Sequence, residues 1–196
     1  MALSTYEQLQ TAIGDFLDRE DLLPVVTGFI ALAEARISRD LKHWRSEKRV
    51  ETVFNERYEL VPSDMIELLS LQHRDGGRIE TISSAEMQER RGQTNDAGGK
   101  PCYVRLTAGQ LELYPTPDTD YNVSLLYRGR IPALSDTSTN WLLTHAPDVM
   151  LYGALIQSAP YLHEDARIQT WAALYQSAVD ALNAESKSTK GIGSMR

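Results

Sequence analysis

The chain has 196 residues, 42% of them hydrophobic and 24% charged. That is enough for one sizeable core, or for a core with an inserted subdomain, and it excludes disorder of the whole chain. A net charge of −7 argues against a protein that grips nucleic acid, which needs clustered Lys and Arg at the phosphates. It does not argue against one that DNA slides past.

Two helices are predicted first, over 4–19 and 24–43. Ser4 and Glu7 have capping-box spacing, and Tyr6, Leu9, Ile13, Phe16 and Leu17 follow at helical intervals. After a charged break, Pro24 suits a first turn, and Val26, Phe29, Ile30, Ala33, Ile37 and Leu41 form one stripe. Arg36, Arg39 and Lys42 fall toward the C-terminal end of that helix, where cations are favoured.

Over 45–132 the segments are short, β-branched and punctuated by Pro and Gly. Strands are expected over 49–54, 57–61, 67–72 and 78–82, with Asp75-Gly76-Gly77 as a turn. Ser83 and Glu86 repeat the capping-box spacing ahead of a short helix over 84–91, and a mobile loop is expected over 92–100. The clearest hairpin sets Tyr103-Val104-Arg105-Leu106 against Leu111-Glu112-Leu113-Tyr114, and a strand over 121–128 should pair nearby.

Residues 133–140 read as a polar link, after which helices return. Thr144 is a plausible cap with Pro147 in the first turn, and Pro160 separates this helix from the last one. Ile168, Trp171, Leu174, Tyr175, Ala178 and Leu182 keep a stripe to about 185. The remainder, with Lys187, Lys190 and Arg196, reads as a flexible basic tail. Neither helix pair buries its stripe alone. The expected fold is therefore α+β: a helical bundle from the N- and C-terminal helix pairs (1–44 plus 133–185), an inserted antiparallel β-rich domain (45–132) and a C-terminal arm (186–196).

No motif for catalysis or for a cofactor emerges. His43, His73, His145 and His163 include no pair at i, i+4, and His163-Glu164-Asp165 reads as an acid-capped helix start rather than a metal site. Gly98-Gly99-Lys100 lacks the spacing of a phosphate loop, with Thr94 and Pro101 where Gly and Ser or Thr are required. Asp118 and Asp120 have turn composition and too few neighbouring oxygens for a cation. Cys102, the single cysteine, excludes an intrachain disulfide and is expected as a small buried hydrophobe. Trp44, Trp141 and Trp171 are expected in cores. Met1-Ala2-Leu3-Ser4-Thr5 has no signal-peptide pattern, and no apolar run reaches the ~18 residues of a membrane span. A soluble protein made in the cytoplasm is expected.

Phe29-Ile30-Ala31-Leu32-Ala33-Glu34-Ala35-Arg36-Ile37-Ser38-Arg39-Asp40-Leu41 and Trp141-Leu142-Leu143-Thr144-His145-Ala146-Pro147-Asp148-Val149-Met150-Leu151-Tyr152-Gly153-Ala154-Leu155, continuing to Ala159-Pro160-Tyr161-Leu162 and Asp165-Ala166-Arg167, together with Leu60-Val61-Pro62-Ser63-Asp64-Met65-Ile66-Glu67 and Leu113-Tyr114-Pro115-Thr116-Pro117 between them, resemble bacteriophage head-to-tail adaptor proteins. They are similar to the tail tubular protein A type of short-tailed phages. The resemblance implies packed helices bearing a β-rich domain, with no catalytic residue, cofactor or metal. It implies a homo-oligomeric ring, commonly a dodecamer, at the head–tail junction of the virion, between the portal protein and the tail nozzle or tube protein, passing double-stranded DNA without specific binding. It also implies a portal-docking arm, placed here on Lys187, Lys190, Ile192, Met195 and Arg196.

The competing readings are another head-completion or tail-terminator protein, a small phage hydrolase, and a DNA-binding regulator. The last rests on Arg36, Arg39, Lys42, Arg45, Lys48 and Arg49, which Glu34, Asp40 and Glu47 dilute into an ion-paired surface.

Overall fold

In a computed structural model, the described residues are 3–94, 97–162 and 166–193, without the side chains of 20, 94 and 190–193. They form two compact units, Met1–Ser46 with Ile131–Arg196, and Glu47–Arg130.

The first unit is helical. Its helices are α1 (Tyr6–Leu17), α2 (Val26–Asp40), α4 (Leu134–Thr137), α5 (Trp141–His145), α6 (Pro147–Gln157) and α7 (Arg167–Gly193), with α3 (Ser84–Thr94) in the other unit. Thr5, not Ser4, caps α1: its hydroxyl accepts the Gln8 N–H at 3.3 Å. Pro24 lies in a 3-10 turn, Glu20–Val25, ahead of α2 rather than inside it. The link over 133–140 contains α4 and the cap of α5, where Asn140 accepts the Leu143 N–H and donates to the Pro132 carbonyl. A residue that reads as loop composition thus starts a helix.

The helices surround α6. Val149, Met150, Leu151, Gly153, Ala154 and Leu155 are all buried, and a helix apolar on every side belongs in the middle. One core joins them to Leu9 and Ile13 of α1, Phe29, Ile30, Ala33 and Ile37 of α2, and Trp171, Tyr175, Val179 and Leu182 of α7. Gly153 lets the helices approach: a Cβ there would lie 3.4 Å from both Ala33 Cβ and Tyr175 Cε2. Gly153→Ala is expected to be near neutral, since a contact at that distance offsets the helix propensity gained. Gly153→Val should cost about 1–3 kcal/mol by overpacking, read from urea unfolding.

The second unit is a seven-stranded sheet in the order β1-β7-β3-β4-β5-β6-β2. The strands are β1 (Glu47–Phe54), β2 (Tyr58–Leu60), β3 (Met65–His73), β4 (Arg78–Thr81), β5 (Tyr103–Thr107), β6 (Gln110–Tyr114) and β7 (Tyr121–Gly129). β1 and β2 are the two edges, yet only residues 55–57 join them. Seven flat strands would hold the edges roughly 29 Å apart, at about 4.8 Å per spacing. A three-residue link reaches about 15 Å at most. The sheet therefore curls, and Phe54, Leu71, Ile79, Val104, Leu111, Leu113, Val123, Leu125 and Tyr127 fill its interior.

Two expectations change here. The sheet is not wholly antiparallel: β4 and β5 run parallel, with α3 (Ser84–Thr94) as the crossover that parallel strands require. The strand over 121–128 does not pair with its sequence neighbours, but lies between β1 and β3. The 103–114 hairpin is as read. Its two-residue loop has Ala108 at φ 47° and Gly109 at φ 79°, the left-handed pair of a type I′ turn. Ser83 caps α3 by accepting the Glu86 N–H at 3.2 Å. Cys102 is exposed ahead of β5, not buried in a strand.

Candidate docking surface

The predicted arm residues fall at the end of α7. Trp171, Tyr175, Val179, Leu182 and Ser186 face the core at steps of four, four, three and four, so one face is held along most of the helix. Among the described side chains, that burial stops after Ser186. Lys187, Ser188 and Thr189 are exposed, while the backbone continues in helix to Gly193, past the point near 185 where the apolar stripe ends. The hydroxyls of Ser188 and Thr189 donate to the Glu185 carbonyl at 2.8 and 3.0 Å, so residues with loop composition satisfy themselves within the helix. Lys190 and Ile192 are on this helix, their side chains outside the described residues; Met195 and Arg196 lie outside them altogether. The His163-Glu164-Asp165 cap is likewise outside them.

The base of this segment is fastened to the residues that follow α2. Asn183 accepts the Lys42 N–H at 2.7 Å and donates to the Asp40 carbonyl at 3.1 Å. The Ser186 hydroxyl accepts the Trp44 N–H at 3.0 Å. The Glu185 carboxylate faces two imidazoles, with His43 Nε2 at 3.7 Å and His145 Nε2 at 3.5 Å. Local spacing could not signal this meeting of three chain segments. Trp44 is part of it and is 38% exposed, unlike Trp171 in the core at 5%.

A groove beside α7 is lined by Leu32, Arg36 and Arg39 of α2 and by Gln176, Asp180 and Asn183 of α7. Asp40 at its edge accepts from Tyr175 Oη at 2.9 Å and pairs with Arg36 at 3.3 Å. Burial and the Asp40 carboxylate both push the Tyr175 phenol far above its ordinary value, so it stays a donor.

The β unit has polar clusters of its own. Glu112 is 5% exposed and meets Arg57 at 2.9 Å, Arg105 at 2.9 Å and Arg91 at 3.4 Å. In a recess lined by His73, Asp75, Asp120 and Tyr121, His73 Nε2 meets the Pro101 carbonyl, Asp75 pairs with Lys100, and Tyr121 donates to Asp118. The Lys100 ammonium holds the Asp75 carboxyl below the usual range. Among the described residues, no group of three or more His, Cys, Asp or Glu is arranged to hold a metal ion. No helix there is long and apolar enough to cross a membrane. Of the basic residues over 36–49, Arg36 pairs with Asp40, Lys48 pairs with Asp64, and Arg45 lies over the Trp44 ring.

The end of α7 is thus a helix end that carries Lys187 and is fastened at its base to the residues that follow α2. Residues 4–196 match the family description SU10 adaptor protein, and the chain belongs to that family. It is a phage adaptor protein, of a structural class and not a class of enzymes. No curated protein matches the chain.

Proposed function

We propose that the protein is a subunit of an adaptor ring that joins the portal vertex of the phage head to the tail and lines part of the DNA channel. The observation that carries this reading is the adaptor family match over 4–196, nearly the whole chain. The ring is dodecameric in this reading, and resembles that of the tail tubular protein A type. It sits in the virion between the portal protein and the nozzle or tube protein of the tail. A ring needs one face of a subunit to meet a different face of the next. Helices packed around α6 as a bundle supply rigid sides for that contact. The net charge of −7 suits a channel that passes DNA without holding it.

The docking arm in this reading is the C-terminal end of α7 with the residues that follow: Lys187, Lys190, Ile192, Met195 and Arg196. Its cations suit acidic groups on the portal, and Ile192 and Met195 suit apolar pockets between subunits. Lys187, Ser188 and Thr189, just past the buried Ser186, are exposed and open to a partner.

Binding to the purified portal ring of the same genome, followed by sedimentation and electron microscopy, tests this. The full chain is compared with one ending at Ser186, which keeps the acceptor for Trp44. The full chain should add a symmetric ring. Loss of the arm should weaken binding by about 30-fold or more, the ~2 kcal/mol of an interface hot spot. Equal binding by both chains removes the arm from the contact. Binding by neither removes the portal as partner and favours another head-completion or tail-terminator role.

A further inference from the structure

His43 lies where the 40–46 segment crosses the end of α7, and its side chain is fully buried at 0% exposure. One face stacks on Trp141, with centroids 5.2 Å apart, and Trp44 lies tilted beside it at 5.5 Å. Nδ1 accepts the Arg45 N–H at 3.2 Å. That bond fixes the neutral tautomer with its hydrogen on Nε2. Nε2 has no hydrogen-bond partner, because Glu185 Oε1 stops at 3.7 Å. A second proton has one place to go, Nδ1, where the Arg45 N–H already points. The same tautomer excludes a metal on Nε2, whose lone pair is taken by hydrogen.

We propose that His43 is an acid-released latch: adding a proton to its buried ring parts the 40–46 segment from the end of α7. Protonation breaks the Arg45 bond and sets two N–H groups against each other. The bonds beside it then loosen, namely Trp44 N–H to Ser186 and Lys42 N–H to Asn183. These are the bonds that hold the base of the C-terminal turns. The latch does not depend on which partner those turns meet.

The groups facing His43 act in both directions. Glu185 of α7 favours the cation, as do the indole faces of Trp44 and Trp141. Removal from water opposes it most strongly, and the charges of Arg45 and His145 add to that, so the His43 pKa is lowered from its ordinary value. A lowered imidazole pKa contributes stability that is complete above the unfolded value of about 6.5. That stability is lost as the pH falls from there through the folded value. Acid therefore opens the latch.

Amide hydrogen exchange of the full chain, read by NMR between pH 7.5 and 5 and corrected for intrinsic rates, tests this. Protection of the Lys42 and Trp44 amides should fall about tenfold or more across that range in the native chain and in His145→Gln. It should be independent of pH in His43→Phe, which keeps the stacked ring without the titration. Glu185→Gln should move the release to lower pH, because the charged ring loses its attracting carboxylate. Constant protection in the native chain, or an equal fall in His43→Phe, overturns the latch. Should His43→Phe not fold, the ring protons of His43 in the native chain decide the matter. A midpoint below the ordinary histidine value supports the latch, and one at or above it overturns it.

Discussion

Tyr175→Ala is expected to lower the free energy of unfolding by about 3–5 kcal/mol, the range for deleting a large aromatic side chain from a core. Tyr175 is fully buried on α7, in van der Waals range of the space Gly153 leaves open. The Arg36 guanidinium lies 4.7 Å from its ring centroid, and its hydroxyl donates to the Asp40 carboxylate at 2.9 Å. Tyr175→Phe separates ring from hydroxyl. It keeps the packing and removes one bond to a charged acceptor, worth about 1.5–3 kcal/mol in general. The lower end applies here, because Asp40 retains Arg36 at 3.3 Å. Urea unfolding of both variants checks the order. An alanine variant no less stable than the phenylalanine one would mean that the ring does not join α2, α6 and α7.

Glu112→Ala should cost about 3 kcal/mol, the lower part of the range for removing one partner of a buried ion pair. Arg57, Arg91 and Arg105 converge on this carboxylate, and without it three guanidiniums crowd one site. The lower part applies because Arg57 is 38% and Arg105 22% exposed, so water screens both. The pH dependence carries a sign. Burial pushes the Glu112 carboxyl up, but the hydrogen bond from Arg57 and the charges of Arg105, Arg91 and Arg57 together outweigh it, and the pKa is lowered from 4.5. A lowered carboxyl pKa gives stability that is present above the unfolded value and lost as the pH falls through the folded one. The gap between native and variant chains, followed by urea midpoints from pH 7 down to pH 3, should narrow only below about pH 4.5. A gap that is constant with pH would locate the cost in lost packing rather than lost charge.

Local pattern made much of the architecture legible. The stripes of α1 and α2, the 103–114 hairpin and the Ser83 cap all rest on neighbours a few residues apart, where period and propensity act directly. What stayed hidden depends on distant partners. β7 pairs with β1, tens of residues earlier, through a register no local alternation encodes. The link over 133–140 hides a cap because Asn serves loops and helix starts alike. The polar end of α7 remains helical, with its hydroxyls bonded back to the Glu185 carbonyl, a choice that composition leaves open. His43, His145 and Glu185 form a cluster only after α2, α5 and α7 are packed, so a search by spacing treats each as isolated.

The pairing of Glu47 with Arg128 places the first residue of the β unit beside its last strand. The chain therefore goes out and comes back about one strand spacing apart, roughly 4.8 Å. Such a unit is a cassette with both cut ends in one place. Lineages can lengthen it, trim it or exchange it for another fold while the helices keep their core, because any replacement has only to bring its two ends together. The position of its two ends thus leaves the β unit free to change in length and form without moving the points where it joins the rest of the chain.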